Sequence, residues 1–353
     1  MKSNEARINF LPAPTWNFLR MNYSDVSDVG FNTSAECHVS VPEGVTYKKA
    51  DSFKIEKRTG LGNDMSLLTE DNAAYVDSYT VKKGKNVSEP LRQVYFFGKE
   101  PTVNAVEIVS EEGSECTVIM DFFSEDIKGS ALYDAGIQTR YEVKNNASLT
   151  LVTIQRLGDK HRFFNDIGGS VAENGKFKLI QLVLSGKETY MGCFSSLYER
   201  KADFTSRIAY LLKDDDKLDM NYVSDHTGRK TTCDIKVSGV LRDKSNKTFR
   251  GTIDFHKGCK ASTGAELEDV LLMDRTVHNK TIPLILCDEE DVEGAHGATI
   301  GRVNENEMFY LKSRGIPEEK IYEMMAQAKV KSALSDIEDD FTSCSVARTL
   351  IGK

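Results

Sequence analysis

The stretch "CDIKVSGVLRDKSNKTFRGTIDF", residues 233–255, decides the fold class. Two runs rich in β-branched and aromatic residues, "CDIKVSGVL" and "TFRGTIDF", flank the charged cluster "RDKSNK". This pattern predicts two β-strands joined by a turn. The same alternation of apolar runs and turn clusters extends from about residue 95 to Val303, and no helix-length periodic segment interrupts it. A mainly β fold is therefore predicted, and a doubly wound α/β fold is disfavoured.

Two all-β architectures fit this pattern. A β-sandwich would be large at 353 residues, whereas a β-solenoid stacks short strands turn upon turn and tolerates any length. Strand centres recur at irregular intervals, without the hexapeptide or nonapeptide repeats of regular β-helices. The pattern leaves both architectures open, with an irregular parallel β-helix slightly favoured.

The two ends of the chain differ from this central region, residues 96–303. Residues 1–95 are predicted to hold a short helix after Pro14, fixed by an aromatic face that includes Trp16, and then a turn-rich segment. Residues 304–353 are predicted to be helical. Asn304 is a suitable N-cap for a first helix that Gly315 ends, and two further helices should follow. Such short helices must pack on the β body or on a partner.

Composition narrows the classes of function. Hydrophobic content of 40% and charged content of 28% are typical of a folded protein with a core. The net charge of −8 gives no sign of nucleic-acid binding, which needs clustered Lys and Arg. The N-terminus lacks the apolar region of a secretory signal, and no apolar run approaches the roughly 20 residues of a membrane-spanning helix. These features predict a cytoplasmic protein without membrane association.

Several isolated residues of reactive or metal-binding types have ordinary structural explanations. The seven cysteines and six histidines are scattered singly, which argues against a disulfide framework or a self-contained zinc site. The "SGKETY" segment lacks the upstream glycine of a phosphate-binding loop, so it is interpreted as a turn. His226 and His256 lie beside turns and are predicted to be exposed loop residues rather than ligands. Cys259 is predicted to be an idle thiol.

The segment "LILCDEEDVEGAHG", residues 284–297, is the strongest candidate site. Cys287 ends an apolar run, an acidic cluster with Glu293 nearby follows, and His296 lies between small residues. Thiolate and imidazole are ligands that iron and iron–sulfur clusters accept. The alternative is a tight corner of the last turn, where small residues let the chain enter the helix.

Longer motifs in the chain resemble a known family. Residues 291–316, "DVEGAHGATIGRVNENEMFYLKSRGI", resemble the signature of the SufB/SufD family, the scaffold subunits of the SUF machinery for iron–sulfur cluster assembly. Supporting matches are "LPAPTWNFLRMN" (11–22), "SGVLRDKSNKTFRGTIDF" (238–255), "DVLLMDR" (269–275) and "TIPLILCDEEDV" (281–292).

The resemblance implies a fold and partners. It implies a right-handed parallel β-helix with helical segments at both ends, and a non-catalytic scaffold rather than an enzyme. A SufC-type ATPase is expected to dock on the C-terminal helices, and a SufB-type subunit or a second copy of the chain to pair with it. A cysteine desulfurase would relay sulfur. A transient iron–sulfur cluster, or iron, would form at the subunit interface and would not be held stably by the isolated chain.

Within the family, the chain resembles SufD. It reads "AHGATIGR", close to a SufD-like "SHGATxGR", whereas SufB proteins more typically show "EHEAT". His296 then matches the candidate cluster-assembly histidine of SufD, and the resemblance places Glu268 where SufB carries an essential cysteine. Cys287 is a second candidate ligand, although the family's apolar residue at that position makes burial the alternative. Glu293 completes the predicted set.

Predicted partner contacts and rival functions complete the expectations. The residues predicted to bind a partner are Met308, Phe309, Tyr310, Leu311, Arg314 and Ile316. One alternative is a SufB-like scaffold of a minimal system, acting as a homodimer. Another, from a different class, is a β-solenoid enzyme that cleaves carbohydrates.

Overall fold

The chain forms a β-solenoid with four α-helices, in a computed structural model that describes residues 5–125, 127–302 and 304–351. The helices are α1 (Asn63–Asn72), α2 (Glu305–Ser313), α3 (Glu318–Leu334) and α4 (Asp340–Ile351), with a 3-10 helix at Asn17–Leu19. The strands are β1 (Ala6–Ile8), β2 (Ser24–Val26), β3 (Glu36–Ser40), β4 (Val45–Ala50), β5 (Val76–Val81), β6 (Leu91–Phe97), β7 (Thr102–Ser110), β8 (Glu115–Ser124), β9 (Tyr133–Val143), β10 (Ser148–Arg156), β11 (His161–Val171), β12 (Lys176–Ser185), β13 (Glu188–Leu197), β14 (Asp203–Leu212), β15 (Lys217–His226), β16 (Thr232–Leu241), β17 (Asn246–Phe255), β18 (Ser262–Leu272), β19 (His278–Cys287) and β20 (Val292–Arg302).

Strands β1 and β2 form a small two-stranded sheet, and from β5 onward successive strands alternate between two nine-stranded sheets. Sheet I has the order β20-β18-β16-β14-β12-β10-β8-β6-β3, and sheet II has the order β19-β17-β15-β13-β11-β9-β7-β5-β4. From β5 and β6 onward the pairs are parallel, whereas at the N-terminal end of the sheets β3 pairs antiparallel with β6 and β4 pairs antiparallel with β5. Glu188 pairs with Lys217, and Lys217 pairs with Asn246, so one turn there takes 29 residues. The predicted parallel β-helix is confirmed, and the sandwich alternative is wrong.

The interior of the solenoid is apolar and aromatic along most of its length. The strands alternate buried and more exposed residues, and the buried side chains of both sheets form one continuous core. Residues in register stack on one another: the rings of Phe177 and Phe204 lie 5.7 Å apart and are nearly parallel. The turns also repeat, because Asn146 and Asn174 both adopt positive φ and the Asn174 amide donates to the Asn146 side chain at 3.1 Å. Asparagine tolerates this left-handed conformation better than most residues.

The N-terminal region holds more regular structure than the sequence pattern indicates. Strands β3, β4 and β5 and the start of β6 precede residue 95, and the segment predicted to be turn-rich contains helix α1. The loop before α1 lies so close to β13 that a Cβ on Gly60 would meet the backbone nitrogen of Cys193 at 2.0 Å. Gly60 is therefore needed for close packing rather than for a ligand loop.

The predicted aromatic anchor near Pro14 is not observed. A single 3-10 turn forms there, and the side chains of Trp16 and Phe18 are 73% and 76% exposed. The two rings contact each other, with centroids 6.0 Å apart, instead of packing on the body. Leu11 and Met21, which flank this turn, are the residues that pack on β19, against Ile282.

The C-terminal helices lie along the outer face of sheet I, as the marginal stability of short helices predicts. Val330 and Ala333 of α3 and Val346 of α4 bury their side chains against Ile119, Val152, Ile154, Ile180, Leu182, Leu184 and Ala209 of that sheet. Polar contacts follow the same path in reverse order along the solenoid: Lys329 pairs with Asp269 of β18, Arg207 of β14 with Asp336, and Arg92 of β6 with Asp339. None of the helices in the described part of the chain is long and apolar enough to cross a membrane.

Candidate functional site

Strands β19 and β20 form the last turn of the solenoid, called here the open end. Each is the terminal strand of its sheet, so within the described residues its outer edge pairs with no further strand. The open end is also poorly covered, since β20 contains no buried residue and β19 contains one, Ile282. Interior-facing side chains that are buried in every earlier turn therefore reach solvent here.

His296 lies in the middle of β20, on the interior side. It pairs with Glu266 of β18, and directly paired residues of parallel strands project to the same face of a sheet. Glu266 is buried in the solenoid, whereas His296 is exposed. Gly294, two residues earlier on the same face, would direct a Cβ at the Ile285 and Phe255 side chains, at 3.1 and 3.2 Å. The tight-corner alternative is wrong, because residues 292–302 are one continuous strand.

A buried cluster of charged residues lies directly beneath His296. Lys247 of β17 is paired with Glu268 of β18, and both side chains are almost completely excluded from solvent. Thr281 of β19 accepts from the Lys247 ammonium at 3.0 Å and donates to Glu268 at 2.7 Å. Glu266 of β18 is the second buried carboxyl group of this cluster. Its side chain fits because residue 251 is glycine, where a Cβ would lie 1.9 Å from Glu266 Oε2. The interior, which in its middle turns holds uncharged polar residues such as Thr153 and Gln181 among the apolar ones, thus carries charged residues at the open end.

The surroundings keep Glu266 protonated near neutral pH. Burial, and then the neighbouring Glu268 carboxylate, raise the pKa of Glu266 to about 8, against the lowering effect of Lys247. Burial also lowers the pKa of Lys247, while its contacts with Glu268 favour the charged form. Since a neutral carboxylic acid carries a proton that it can donate, Glu266 can offer a hydrogen bond toward the open end.

Glu266 should make the stability of the chain depend on pH. Its pKa is raised on folding, so its contribution is fully present below the unfolded pKa of 4.5 and is lost as the pH rises toward about 8. We expect the unfolding free energy of the wild type to fall between pH 5 and 8, relative to Glu266→Gln, by on the order of 4 kcal/mol. Urea denaturation at several pH values measures this difference. Parallel pH profiles of the two proteins would contradict it.

Cys287 ends β19 and is exposed, so the alternative that it is a buried apolar-type residue is wrong. Its thiol donates to the Glu289 carbonyl at 3.0 Å. It also lies away from His296. Ile285 faces Gly294 across the interior, and Cys287 and His296 lie two residues from this contact in opposite directions along the strands. At about 3.3 Å per strand residue, they are separated by roughly 13 Å, too far for one ion to bind both.

Glu293 does not share a face with His296. It pairs with Thr263 of β18, whose side chain is exposed, and it is an odd number of residues from His296 along β20. Alternate residues of a strand point to opposite faces, so Glu293 lies on the outer side. The structure thus separates the three predicted ligands, although all belong to the last turn.

Comparisons with known proteins agree with this architecture. Residues 96–329 match the family model described as "SUF system FeS cluster assembly, SufBD core domain". The chain belongs to the SufB/SufD family. The iron-sulfur cluster assembly protein SufD of Bacillus subtilis (strain 168) is 24% identical over 285 residues, 78% of this chain and 65% of that protein. The protein of that name from Escherichia coli (strain K12) is 24% identical over 285 residues, 77% of this chain and 65% of its own length.

These relatives are SufD proteins, so the SufD-like prediction is confirmed. The match with this chain covers 65% of the length of each of these two relatives. A SufBD family protein of Staphylococcus saprophyticus is also 24% identical, over 266 residues that cover 74% of this chain and 56% of that protein. The family match extends over nearly the whole solenoid and into helix α3.

Helix α2 of this SufB/SufD-family chain presents most of the residues predicted to bind a partner. Asn304 caps it by accepting from the Asn306 backbone at 2.9 Å, and Gly315 follows it with φ of 83°, as predicted. Phe309 and Tyr310 are 74% and 54% exposed. Arg314, also exposed, lies over the Tyr310 ring at 5.1 Å. Met308, Leu311 and Ile316 are partly covered.

A groove of about 670 Å³ runs beside α2. It is lined by Met273, Asp274, Arg275, Arg302, Met308, Phe309, Lys312, Ser313 and Tyr322. Its walls come from the ends of β18 and β20 and from helices α2 and α3, so the groove connects the open end with the C-terminal helices. A partner bound here would contact both parts of the chain.

The sequence analysis did not predict the buried cluster. It noted Glu268 only as the position where a SufB protein would carry a cysteine. A usable signal was present: Glu266 and Glu268 alternate with Gly264 and Val270 on the buried face of "STGAELEDVLL". Charged residues on the buried face of a strand require a partner. That partner, Lys247, lies on the opposite sheet and could not be assigned without the fold.

Proposed function

We propose that this chain is a SufD-like scaffold subunit that takes part in assembling an iron–sulfur cluster as cargo at its open end. The observation that carries the proposal is the exposed His296 on the interior face of the last turn, above the buried Lys247–Glu268 pair. A neutral imidazole is an accepted ligand of iron. The rigid solenoid beneath it would hold the ring in one place.

A second subunit is needed to complete the site. Among the described residues, no three ligand-type side chains come together around His296. The free edges of β19 and β20 also leave rows of backbone N–H and C=O groups available for pairing with another chain. A SufB-type subunit, or a second copy of this chain, would cover the open end and bring the missing thiolates. Cys287 and Glu293 do not share a site with His296, so each would meet ligands of the second subunit at the rim, and sulfur would be delivered through a cysteine desulfurase.

The helices beside the open end are the proposed docking site of a SufC-type ATPase. Helix α2 buries none of the residues whose exposure is described, yet it carries two exposed aromatic rings. Aromatic residues are enriched where binding energy is concentrated. Nucleotide-driven movement of the docked ATPase would displace α2 and, through it, the end of β20. The chain itself acts as a non-catalytic part of the complex.

Phe309→Asp should weaken binding of the ATPase. Loss of a central aromatic contact costs about 2 kcal/mol or more, which corresponds to roughly 30-fold in Kd. Phe341→Asp is the matched control, because Phe341 of α4 is also 74% exposed but lies on sheet I, away from α2. Biolayer interferometry with the purified ATPase compares the two variants. Equal affinities would contradict the assigned docking site.

The choice of second subunit is tested by coexpression. The chain is produced alone, with a SufC-type ATPase, and with both the ATPase and a SufB-type subunit, and each sample is examined by native mass spectrometry. We expect a complex with one copy of this chain and one SufB-type subunit. A stable homodimer that excludes the SufB-type subunit would instead favour the minimal-system alternative. The carbohydrate-enzyme alternative rested on the solenoid shape alone, and family membership removes its support.

A further inference from the structure

A second group of ligand-type side chains lies on the outer face of sheet II. Asp225 and Asp254 are the last residues but one of β15 and β17, and His256 follows β17 directly. Their ligand atoms lie within 4.8 Å of one another, in the one group of three or more such residues found in the described parts of the chain. The His256 Nε2 atom is 2.7 Å from Asp225 Oδ1 and 3.5 Å from Asp254 Oδ2.

The backbone fixes this arrangement. Asp225 and Asp254 are in register on neighbouring parallel strands, and their side chains share the outer face because the paired His226 and Phe255 beside them are buried. His256 lies two residues beyond Asp254 on the same face, held by a hydrogen bond from its backbone N–H to the His226 carbonyl at 3.0 Å. The prediction that His226 is an exposed loop residue is wrong, because it is buried at the end of β15, whereas His256 lies in the loop after β17 and is partly exposed, as predicted.

The surroundings suit a bound cation. The Ser196 hydroxyl on β13 donates to Asp225 Oδ2 at 3.1 Å, which orients the carboxylate and leaves Oδ1 directed at His256. Asp288, after β19, adds a further negative charge on the next turn. The three side chains are partly exposed, so solvent can complete a coordination sphere.

We propose that Asp225, Asp254 and His256 form a binding site for a divalent first-row transition-metal ion. Two carboxylate oxygens and one imidazole nitrogen are a ligand set that Zn²⁺, Mn²⁺ and Fe²⁺ accept. The site differs from the open end, because it lies on the outer face of sheet II and needs no second subunit. It therefore goes beyond the function proposed above.

One nearby cationic side chain weakens the affinity of the site for a metal ion. Arg58, from the loop before α1, faces Asp254 and lowers its pKa, so its positive charge opposes a bound cation. The Arg58 guanidinium also lies over the Phe194 ring, 4.9 Å from its centroid, and can stay there when a metal binds. The competing state without a metal is the direct contact of His256 Nε2 with the two carboxylates, which a bound Zn²⁺ would have to replace.

Isothermal titration of the tag-free full chain with Zn²⁺ tests the proposal. We expect one saturable site, weakened at least 100-fold by His256→Ala and by Asp225→Asn. Ser196→Ala should weaken it about 10-fold, as is typical when a hydrogen-bond partner of a metal ligand is removed. His38→Ala is the matched control, because His38 of β3 is an exposed histidine whose Nε2 lies 3.6 Å from an acid, Glu36. It should leave binding unchanged.

Further variants separate this site from the proposed cluster site. His296→Ala and Cys287→Ser should retain the Zn²⁺ site, and a bound Zn²⁺ should raise the melting temperature of the wild type but not of His256→Ala. Circular dichroism checks that each variant is folded. Absence of a saturable site, or wild-type affinity in His256→Ala, would overturn the proposal. Loss of binding in His296→Ala alone would assign the metal to the open end instead.

Discussion

Replacing His296 with alanine should reduce the iron and acid-labile sulfide recovered with the SUF-type complex to background. The imidazole is the exposed ligand on the interior face of the open end, and a methyl group cannot bind iron. The chain should still fold and still bind the ATPase, because His296 is exposed and does not line the groove beside α2. Anaerobic purification of the coexpressed complex, followed by iron and sulfide assays and visible absorption, measures the loss.

His278→Ala is the matched control for that experiment. His278 begins β19, the other strand of the last turn, and is also exposed. It lies an odd number of residues from the interior-facing Thr281, so it points to the outer face of sheet II and away from the interior face that holds His296. It should retain wild-type iron and sulfide. A His296→Ala complex that keeps its full cluster content would refute the assigned role and leave the chain as a structural platform.

Lys247→Met should destabilise the chain by about 3–5 kcal/mol. Methionine fills a similar volume but leaves the buried Glu268 carboxylate without its cation, and an unpaired buried charge is costly. Only Thr281 would remain as a partner of Glu268. Urea denaturation followed by circular dichroism measures the change in unfolding free energy.

The double variant Lys247→Met/Glu268→Gln separates the charge from packing. An uncharged amide can keep the hydrogen bond with Thr281, so at least half of the lost stability should return. A double variant less stable than Lys247→Met, by the full cost of a second core substitution, would show that the two residues are not coupled. The pair would then contribute through packing alone.

The sequence predicts the central strands and the C-terminal helices well, because their signals are local. Apolar alternation marks the strands, and Asn304 and Gly315 mark the ends of α2. Helix α1 was missed because it has no such signals. Gly62 precedes it without a side-chain cap, and only Met65 and Thr69 are buried. Tertiary contacts form it instead, including one from the Arg7 backbone to Asp64 at 2.9 Å.

The sites divide in the same way. His296 was identified through a contiguous motif, since its significance lies in a resemblance that the linear sequence preserves. The buried Lys247–Glu268 pair joins two sheets, and the Asp225, Asp254 and His256 group joins neighbouring turns. These contacts depend on the register of strands about one turn apart. No local pattern specifies that register before the fold is known.

The path of the C-terminal helices along sheet I has a mechanical consequence. Polar contacts join them to β18, β14 and β6, so they act as a splint fixed at several points along the solenoid. A force on α3 or α4 is shared among these contacts, which must all break together. A force on α2 is carried mainly by its connections to the end of β20 and the start of α3. Force applied to the C-terminal helices would therefore act mainly on α2 and the end of β20, the strand that carries His296, while the rest of the body stays stiff.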